Sequence, residues 1–409
     1  MTHLPTLDDG EFKGKTVIVR VDINSPCEVG VLTSDKRILA HWDTLFELSE
    51  SGARTVVLGH QGRPGKHDFI SLWEHVKILE EKTGKHIEFV EDIMGSAARE
   101  KIKKMNDGDI LFLDNVRFLA EERLERDPAG HAQSNLVKRL APLADAFVGD
   151  CFSVSHRSHA SVVGFTYVLP SYAGRLMERE VKATEKVLEK PEQPCVLVFG
   201  GVKADDSIRV MENVLRNGGV NKALTCGLVG ELFMVAGGID IGDPNMDTLK
   251  KTGVYDFLGR AQSLLKRYPE KIAFPSDVAV TVSGERINVK AGETIVDMIK
   301  DIGDETIKEY SKILRKAKTI CMNGPAGVYE NPVFAKGTKE IFSAVKDAKG
   351  FSLLGGGHTS SAISTLDFKF EDFSYVSLAG GALITQLSGD ILPGVEAIKR
   401  SPSTKKPMP

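Results

Sequence analysis

The stretch RTVVLGHQGRPG, residues 54–65, joins a β-branched apolar run to a loop with three glycines, a histidine and an arginine. A short apolar run that ends in a glycine loop predicts a buried β-strand. Similar runs recur through the first half of the chain, at residues 16–21, 86–91, 109–114 and 145–150. The loop at residues 59–65 is therefore interpreted as one of several loops at the ends of strands.

Helical patterns separate these strands. In residues 35–52 the side chains of Ile38, Trp42, Leu45 and Leu48 repeat at helical spacing and Gly52 suits the C-cap, so the sequence predicts one helix there. Strands that alternate with helices form a parallel sheet with helices on both faces.

The second half repeats this alternation, with predicted strands at residues 195–201, 222–227, 271–277, 318–323, 351–356 and 375–380. A chain of 409 residues exceeds the usual size of a single hydrophobic core, which favours two domains. Between the halves, residues 170–190 are charged and helix-forming with no strand of their own, and we interpret them as an interdomain helix. The predicted fold class is α/β, with a doubly wound parallel sheet in each domain.

Composition narrows the functional classes. The net charge of -3 gives no indication of nucleic acid or an acidic membrane as a partner. The five cysteines are scattered and form no CxxC pair, which indicates reduced thiols and neither a disulfide framework nor a zinc site. No apolar run reaches membrane-spanning length and the N-terminus lacks a signal-peptide core, so we expect a cytoplasmic protein.

Polar and cationic residues follow the strands of the first half. Ligands bind beyond the carboxyl ends of strands in an open parallel sheet, and these positions carry Asp22, Asn24, His60, Arg63, Arg117, His156 and Arg157, while Arg37 opens the first predicted helix. One arginine is most often a solvated surface group. Several guanidiniums at one edge repel one another unless an anion joins them, and arginine matches carboxylate and phosphate oxygens. The pattern predicts a site for a small polyanion.

The second half predicts a different ligand. Lys203 follows a strand and a glycine turn, and residues 351–363 run from a strand through three glycines into a helix start, where backbone N–H groups favour phosphate. Glu330 follows a rigid turn and can accept hydrogen bonds from ribose hydroxyls. Together these features predict a nucleotide site. The GxGxxG motif is incomplete and GKT at 14–16 lacks the Walker A spacing, which disfavours dinucleotide dehydrogenases and P-loop enzymes.

Ordered motifs along nearly the whole chain resemble the signature blocks of the phosphoglycerate kinase family. They are VRVDINSP (19–26), GHQGRPG (59–65), LDNVRF (113–118), SHRSHAS (155–161), GGVKADDS (200–207), NGPAGVYE (323–330), GGGHTSSA (355–362) and SGDILPGVEAI (388–398). The resemblance implies reversible phosphoryl transfer between ATP and the carboxylate of 3-phosphoglycerate, giving ADP and 1,3-bisphosphoglycerate, in glycolysis or gluconeogenesis. It also implies two domains of similar size: residues 1–170, to which residues 385–409 return, and residues 191–384, joined by a helix within 171–190.

The resemblance also implies residue roles. The 3-phosphoglycerate site comprises Asp22, Ile23, Asn24, Arg37, His60, Gln61, Gly62, Arg63, Arg117, His156 and Arg157. The nucleotide site comprises Lys203, Asn323, Pro325, Glu330, Gly355, Gly356, Gly357, His358 and Thr359. Arg37 and Lys203 are the expected catalytic cations, one from each domain. ATP or ADP with Mg²⁺ is the expected second substrate, and the protein is expected to be a monomer or a homodimer.

Two positions depart from the family pattern. Ser207 stands where most members have a second lysine, and His358 stands where most have an aspartate that helps to place the magnesium ion. The GGGH variant is associated with archaeal members. Because a neutral histidine is a poor ligand for Mg²⁺, we expect the nucleotide phosphates and water to carry the metal.

The acceptor carboxylate is already ionised at neutral pH, so the expected reaction needs no general base. Catalysis then consists of aligning two anions, neutralising the moving phosphoryl group and excluding water by domain closure. Two alternatives remain at this stage. One is a kinase for a sugar or small alcohol, with Asp22 as its base. The other is a non-catalytic nucleotide-binding protein of the same descent, suggested by Ser207 and His358.

Overall fold

The computed structural model describes residues 3–189 and 191–406. Contacts within this part of the chain define two compact units. The N-terminal unit runs to Val181 and includes the chain from Ile391 onward, and the C-terminal unit is Lys182–Asp390. The division falls inside one helix, α7 (Arg175–Leu188).

The N-terminal unit is built on a parallel sheet with the strand order β5-β6-β4-β1-β7-β8. Its strands are β1 (Thr16–Val21), β4 (Arg54–Leu58), β5 (Glu88–Val90), β6 (Ile110–Leu113), β7 (Ala146–Asp150) and β8 (Ser171–Ala173), and a small hairpin adds β2 (Cys27–Glu28) and β3 (Val31–Leu32). Its helices are α1 (Lys36–Leu39), α2 (Trp42–Glu50), α3 (Trp73–Thr83), α4 (Ser96–Lys104), α5 (Pro128–Ala132), α6 (Asn135–Leu140) and α16 (Pro393–Lys399).

Side chains of this sheet alternate between two hydrophobic cores. Ile18 of β1 packs in one core with Val56 and Phe147, whereas Val17 and Val19 pack in the other. This period of two, with both faces buried, is what a parallel sheet covered by helices on both sides requires. The predicted strands of the first half are confirmed to within two residues at each end.

The C-terminal unit has a second parallel sheet, in the order β11-β10-β9-β15-β16-β17, and a separate antiparallel sheet, β13-β12-β14. Its strands are β9 (Cys195–Phe199), β10 (Lys222–Thr225), β11 (Ile272–Ala273), β12 (Asp277–Val282), β13 (Glu285–Lys290), β14 (Ile299–Ile302), β15 (Thr319–Asn323), β16 (Phe351–Gly355) and β17 (Tyr375–Val376). Its helices are α8 (Ala204–Arg216), α9 (Gly227–Ala236), α10 (Asp243–Lys251), α11 (Leu258–Arg267), α12 (Asp304–Leu314), α13 (Lys336–Asp347), α14 (Gly357–Thr365) and α15 (Gly381–Leu387).

Two sequence-based expectations about local structure are wrong. The predicted single helix over 35–52 is interrupted between α1 and α2 at His41, whose buried ring is held by hydrogen bonds to Asp22 and Asp150. Residues 170–190 do contain a strand, because β8 pairs with β7 before α7 begins. In both places, contacts with distant residues determine the local backbone.

The C-terminal segment packs within the N-terminal unit. The Gly394 N–H donates to the Ser155 carbonyl at 2.8 Å, and the Lys406 N–H donates to the Val168 carbonyl at 2.9 Å. The five cysteines are all buried and free. Within residues 3–189 and 191–406, no helix combines the length and apolar character needed to cross a membrane.

Candidate active site

The loops after β1, β4, β6 and β7 meet at one edge of the N-terminal sheet. The Gly62 N–H donates to Asn24 Oδ1 at 2.8 Å, which joins the loop after β4 to the loop after β1. The Asn115 side chain donates to the Gln61 carbonyl at 2.7 Å, which joins the loops after β6 and β4. Ser153, after β7, donates its hydroxyl to Asp22. The predicted convergence of these four strand ends is therefore present.

Asp22 lies at the centre of this edge and is buried. Its Oδ2 is 2.7 Å from Arg37 Nη1, and its Oδ1 is 3.6 Å from His60 Nε2. Burial alone opposes ionisation, but the neighbouring His60 and Arg37 and the hydrogen bonds from Ser153 and Asn24 hold the pKa of Asp22 well below its usual range. Asp22 is thus a permanent anion that orients cationic side chains.

A buried network under this edge contains residues that the sequence analysis did not identify. Arg20 donates Nε–H to Ser161 Oγ at 2.7 Å and Nη2–H to His60 Nδ1 at 3.0 Å. Its guanidinium lies 3.8 Å from the carboxylate of Glu122, which also accepts two hydrogen bonds from Ser161. Because Arg20 occupies Nδ1 of His60, the ring proton is on Nε2 and faces Asp22.

Arg117 and His156 each present a buried polar atom without a partner among the described residues. These atoms are Nε of Arg117 and Nδ1 of His156. Burial, reinforced by the charge of Arg20, lowers the pKa of Arg117 to about 10, so its guanidinium remains cationic at neutral pH. Burial and the surrounding arginines lower the pKa of His159 to about 3, and burial and Arg157 lower the pKa of His156. These histidines are therefore neutral, and the positive charge is on the arginines.

The other predicted residues of this site differ in exposure. Arg63 and Arg157 have exposed side chains. Ile23 packs in the hydrophobic core, so only its backbone can face a ligand. Gln61 is buried, and its amide bonds the Ser25 backbone at 2.9 and 3.0 Å, which makes it a loop-fixing residue.

In the C-terminal unit, the turns after β9, β10 and β15 pack against one another. The Gly201 N–H donates to the Pro325 carbonyl at 2.9 Å, and the Gly227 N–H donates to the Ala326 carbonyl at 3.0 Å. A Cβ on Gly200 would lie 2.2 Å from the Pro325 oxygen, so only glycine allows this approach. The glycine turns predicted to hold a nucleotide are thus brought together.

The residues predicted to hold the nucleotide surround these turns. Lys203 precedes α8 with its side chain 72% exposed, 3.9 Å from Asp206. Thr359 is buried and accepts the Gly324 N–H at 2.9 Å, and Gly356 approaches Asn323 with a φ of +96°. His358 and Glu330 are exposed. Ser207 is buried in α8, so it contributes no charge to this site.

A cavity of about 190 Å³ lies beside these turns, lined by Gly201, Pro325, Gly327, Tyr329, Glu330 and His358 together with apolar side chains such as Met234 and Val278. A cavity of about 150 Å³ is known to hold benzene, so this one has room for an aromatic ring system. Two buried carboxyl groups, Glu231 and Asp301, also line it.

The described residues offer no group of three His, Cys, Asp or Glu side chains able to hold a metal ion. The side chain of His358 does not supply an oxygen donor, which is the kind of ligand that Mg²⁺ prefers. Among the described residues, the chain's own donor set therefore does not fit a resident Mg²⁺ site.

Comparisons with known proteins agree on one family. The family model described as phosphoglycerate kinase matches residues 7–390. The phosphoglycerate kinase of Methanothermobacter thermautotrophicus is 48% identical over 398 residues, which cover 97% of each chain. The crystal structure of phosphoglycerate kinase from Pyrococcus horikoshii OT3 has a TM-score of 0.87 at 38% identity, covering 97% of this chain and 98% of its own. The enzyme from Coxiella burnetii has a TM-score of 0.83 at 30% identity, covering 97% and 99%.

The near-complete coverage, the high identity to archaeal relatives and the shared two-sheet architecture confirm the resemblance of the ordered motifs. The chain belongs to the phosphoglycerate kinase family, and it is a phosphotransferase that uses ATP or ADP with magnesium.

Proposed function

We propose that this phosphotransferase holds 3-phosphoglycerate on the cationic edge of the N-terminal sheet and the nucleotide on the glycine turns of the C-terminal sheet. The observation that carries the first assignment is the pair of buried, unpartnered atoms, Arg117 Nε and His156 Nδ1. A buried donor without an acceptor is costly, and a phosphate or carboxylate oxygen is the partner that a guanidinium fits best.

The substrate-binding residues divide by role. Arg37, Arg63, Arg117 and Arg157 supply positive charge, and neutral His60 and His156 supply hydrogen-bonding ring nitrogens. Asp22 and Asn24 fix the geometry of these groups, as their hydrogen bonds to Arg37 and Gly62 support. Ile23, Gln61 and Gly62 contribute backbone. In the nucleotide site, Glu330 faces the ribose. The phosphates are faced by the residues at the start of α14, which are Gly355, Gly356, Gly357, His358 and Thr359. Asn323 and Pro325 form the turn beside the nucleoside.

Transfer needs no general base in this site. The acceptor is an ionised carboxylate, and Asp22, whose pKa is held low by its cationic neighbours, is a poor proton acceptor. This argues against the alternative of a hydroxyl-directed kinase. Arg37 and Lys203 neutralise charge on the phosphoryl group as it moves, and the exposure of Lys203 in the absence of ligand leaves it able to reach one.

We further propose that the domains follow the limits given by the resemblance: residues 1–170 with 385–409, and residues 191–384, with α7 in the connection. Closure about this connection would bring donor and acceptor together and exclude water. The composition supports a cytoplasmic enzyme. We propose that the enzyme is a monomer or a homodimer.

The test is a coupled assay with ATP, Mg²⁺ and 3-phosphoglycerate. Lys203→Ala and Arg37→Ala should each lower kcat/KM roughly 10³-fold, because a cation at the moving phosphoryl group is lost. Lys290→Ala, which removes an exposed lysine of β13, should leave activity unchanged.

Wild-type turnover with 3-phosphoglycerate and none with glycerol or sugars separates this function from a hydroxyl-directed kinase. Absence of turnover in the folded wild-type protein would instead support a non-catalytic nucleotide-binding protein. If Lys203→Ala retained full activity, the proposed role of Lys203 would be wrong.

A further inference from the structure

Glu231 is a buried carboxyl that the reaction does not use. It lies on α9 and lines the cavity beside the glycine turns, and the residue is only 4% exposed. Its Oε2 is buried and has no hydrogen-bond partner among the described residues. Buried polar atoms are rarely left in this state, so an unpaired one on a residue that lines a cavity points to a ligand.

Asp301 provides an internal comparison, because it lines the same cavity and is also buried. Both of its oxygens are engaged: Oδ2 accepts the Gly337 N–H at 2.7 Å and Oδ1 accepts the Ile302 N–H at 2.9 Å. Arg286 lies 3.5 Å from the same carboxyl. Asp301 is therefore a structural residue, whereas the protein leaves Glu231 available to an occupant of the cavity.

We propose that Glu231 recognises the base of the nucleotide by pairing with the 6-amino edge of adenine. This inference rests on the proposed nucleotide site, because Pro325, Glu330 and His358 of that site line the same cavity. The wall is mostly apolar, and of its two buried carboxyl groups Glu231 is the one with an unpaired oxygen, so this carboxyl is the group that distinguishes one ring edge from another.

The chemistry of the two edges is complementary. Burial raises the pKa of Glu231 to about 8, so the carboxyl is mostly neutral at pH 7 and offers one O–H donor and one carbonyl acceptor. Adenine presents an N–H donor at its 6-amino group and an acceptor at N1. Two parallel hydrogen bonds then satisfy both carboxyl oxygens, with no charge buried in the apolar cavity.

The experiment is a double-mutant cycle between the protein and the ligand. Calorimetry measures binding of ADP and of purine riboside diphosphate, which lacks the 6-amino group, to the full chain. The wild-type protein should prefer ADP about tenfold, because the analogue leaves the carboxyl oxygen unpaired. Glu231→Gln keeps one donor and one acceptor and should keep the preference within about threefold. Glu231→Leu should abolish the preference. Met234→Leu, an apolar change in the same cavity wall, should preserve it.

The outcomes of this experiment test the role of Glu231 separately from the proposed nucleotide site on which that role rests. If Glu231→Leu kept the tenfold preference for ADP, the proposed role of Glu231 would be wrong. The proposed function would still hold if the protein were active and bound ADP. Tighter binding of GDP than ADP at pH 7 would also overturn it, because an acceptor-only carboxylate would then read the two N–H groups of guanine. Failure of the wild-type protein to bind any of these nucleotides would overturn the proposed nucleotide site.

The pH dependence provides a second readout that a purely structural role would not change. As the pH rises from about 7 to about 9, Glu231 loses its donor proton, so ADP affinity should fall by up to about tenfold in the wild-type protein. Glu231→Gln has no such proton and should show no such fall. The other charged or titratable groups that line the cavity are Lys300, Asp301, Tyr329, Glu330 and His358. They are present in both proteins and cancel in the comparison. Parallel pH profiles would contradict the proposal.

Discussion

Gly62 shows why the loop after β4 needs glycine at one position in particular. Its φ is +66°, and a Cβ there would lie 2.2 Å from the carbonyl oxygen of Asp68. Its N–H bonds Asn24 and its carbonyl accepts from Arg117, so the residue joins three of the loops that form the cationic edge. We expect Gly62→Ala to weaken 3-phosphoglycerate binding at least tenfold and to lower the free energy of unfolding by about 2 kcal/mol.

Gly65 is the matched control for this change. It has a similar positive φ of +79° in the same loop, but a Cβ there would meet no atom within 4 Å. Gly65→Ala should therefore cost only the strain of the left-handed backbone, about 1 kcal/mol, and leave binding nearly unchanged. Calorimetry with 3-phosphoglycerate and urea unfolding measure both effects. Equal losses of binding in the two variants would show that backbone conformation alone, and not the contact with Asp68, governs the loop.

Single residues also mark the limit of what the sequence predicts about the site. The residues at the strand ends were identifiable, because a cation just after an apolar run stands out. Arg20 was not, because it lies inside the run TVIVRV and its partners, Glu122 and Ser161, lie more than 100 residues away. Its role depends on tertiary proximity, for which a single sequence carries no local signal.

At the scale of elements, the start of α7 is connected to the cationic edge of the N-terminal sheet through a buried relay of hydrogen bonds. Asp150 Oδ1 accepts the N–H groups of Leu176 and Met177 at 2.9 and 3.0 Å, and so caps α7. Its Oδ2 is 2.8 Å from His41 Nδ1, and His41 Nε2 accepts the Asp22 N–H at 3.0 Å. Asp150→Ala removes the cap and leaves a buried histidine without its partner. We expect the free energy of unfolding to fall by about 3 kcal/mol.

Asp43 is the matched control for Asp150. It lies on α2 and forms an ion pair of 2.7 Å with Arg179 of the same helix α7, but both side chains are largely exposed. Exposed pairs contribute little because water screens them, so Asp43→Ala should cost less than about 1 kcal/mol. Denaturant unfolding of the two variants measures the difference. A loss for Asp43→Ala as large as that for Asp150→Ala would mean that the buried contacts of Asp150 stabilise the protein no more than an exposed ion pair does.

Elements differ in how far the sequence determines them. Most strands of the two parallel sheets were predicted, because they are apolar runs that end in glycine or polar residues, whereas β8, which lies just before the charged helix α7, was not. The split of the helix over 35–52 was not, because the break depends on bonds of His41 to residues remote in sequence. The antiparallel hairpin of β12 and β13 was missed although it has a local signal: Ser283-Gly284, with φ of +52° and +87°, lies between alternating strands.

At the scale of the whole molecule, charge is distributed unevenly. The chain carries a net charge of -3, yet Arg20, Arg37, Arg117 and Arg157 lie at one edge of one sheet together with histidines that burial keeps neutral. Because these histidines are neutral, they add no further positive charge beside the arginines before substrate binds, and they still supply hydrogen bonds afterwards. Such a site attracts a small polyanion through a local field that the net charge of the protein does not reveal.

The proposed substrate sites lie on two different units, so the proposed mechanism includes a closure step, and this gives the last prediction. The acceptor and the nucleotide repel each other, so approach becomes favourable only when cations from both units neutralise them and water is excluded. 3-Phosphoglycerate and ADP with Mg²⁺ form a non-reacting pair, because neither carries the phosphoryl group that this reaction transfers. Small-angle X-ray scattering should show a smaller radius of gyration with both ligands bound than with either alone. If calorimetry confirmed that both were bound and the radius did not change, the proposed ligand-induced closure would be wrong.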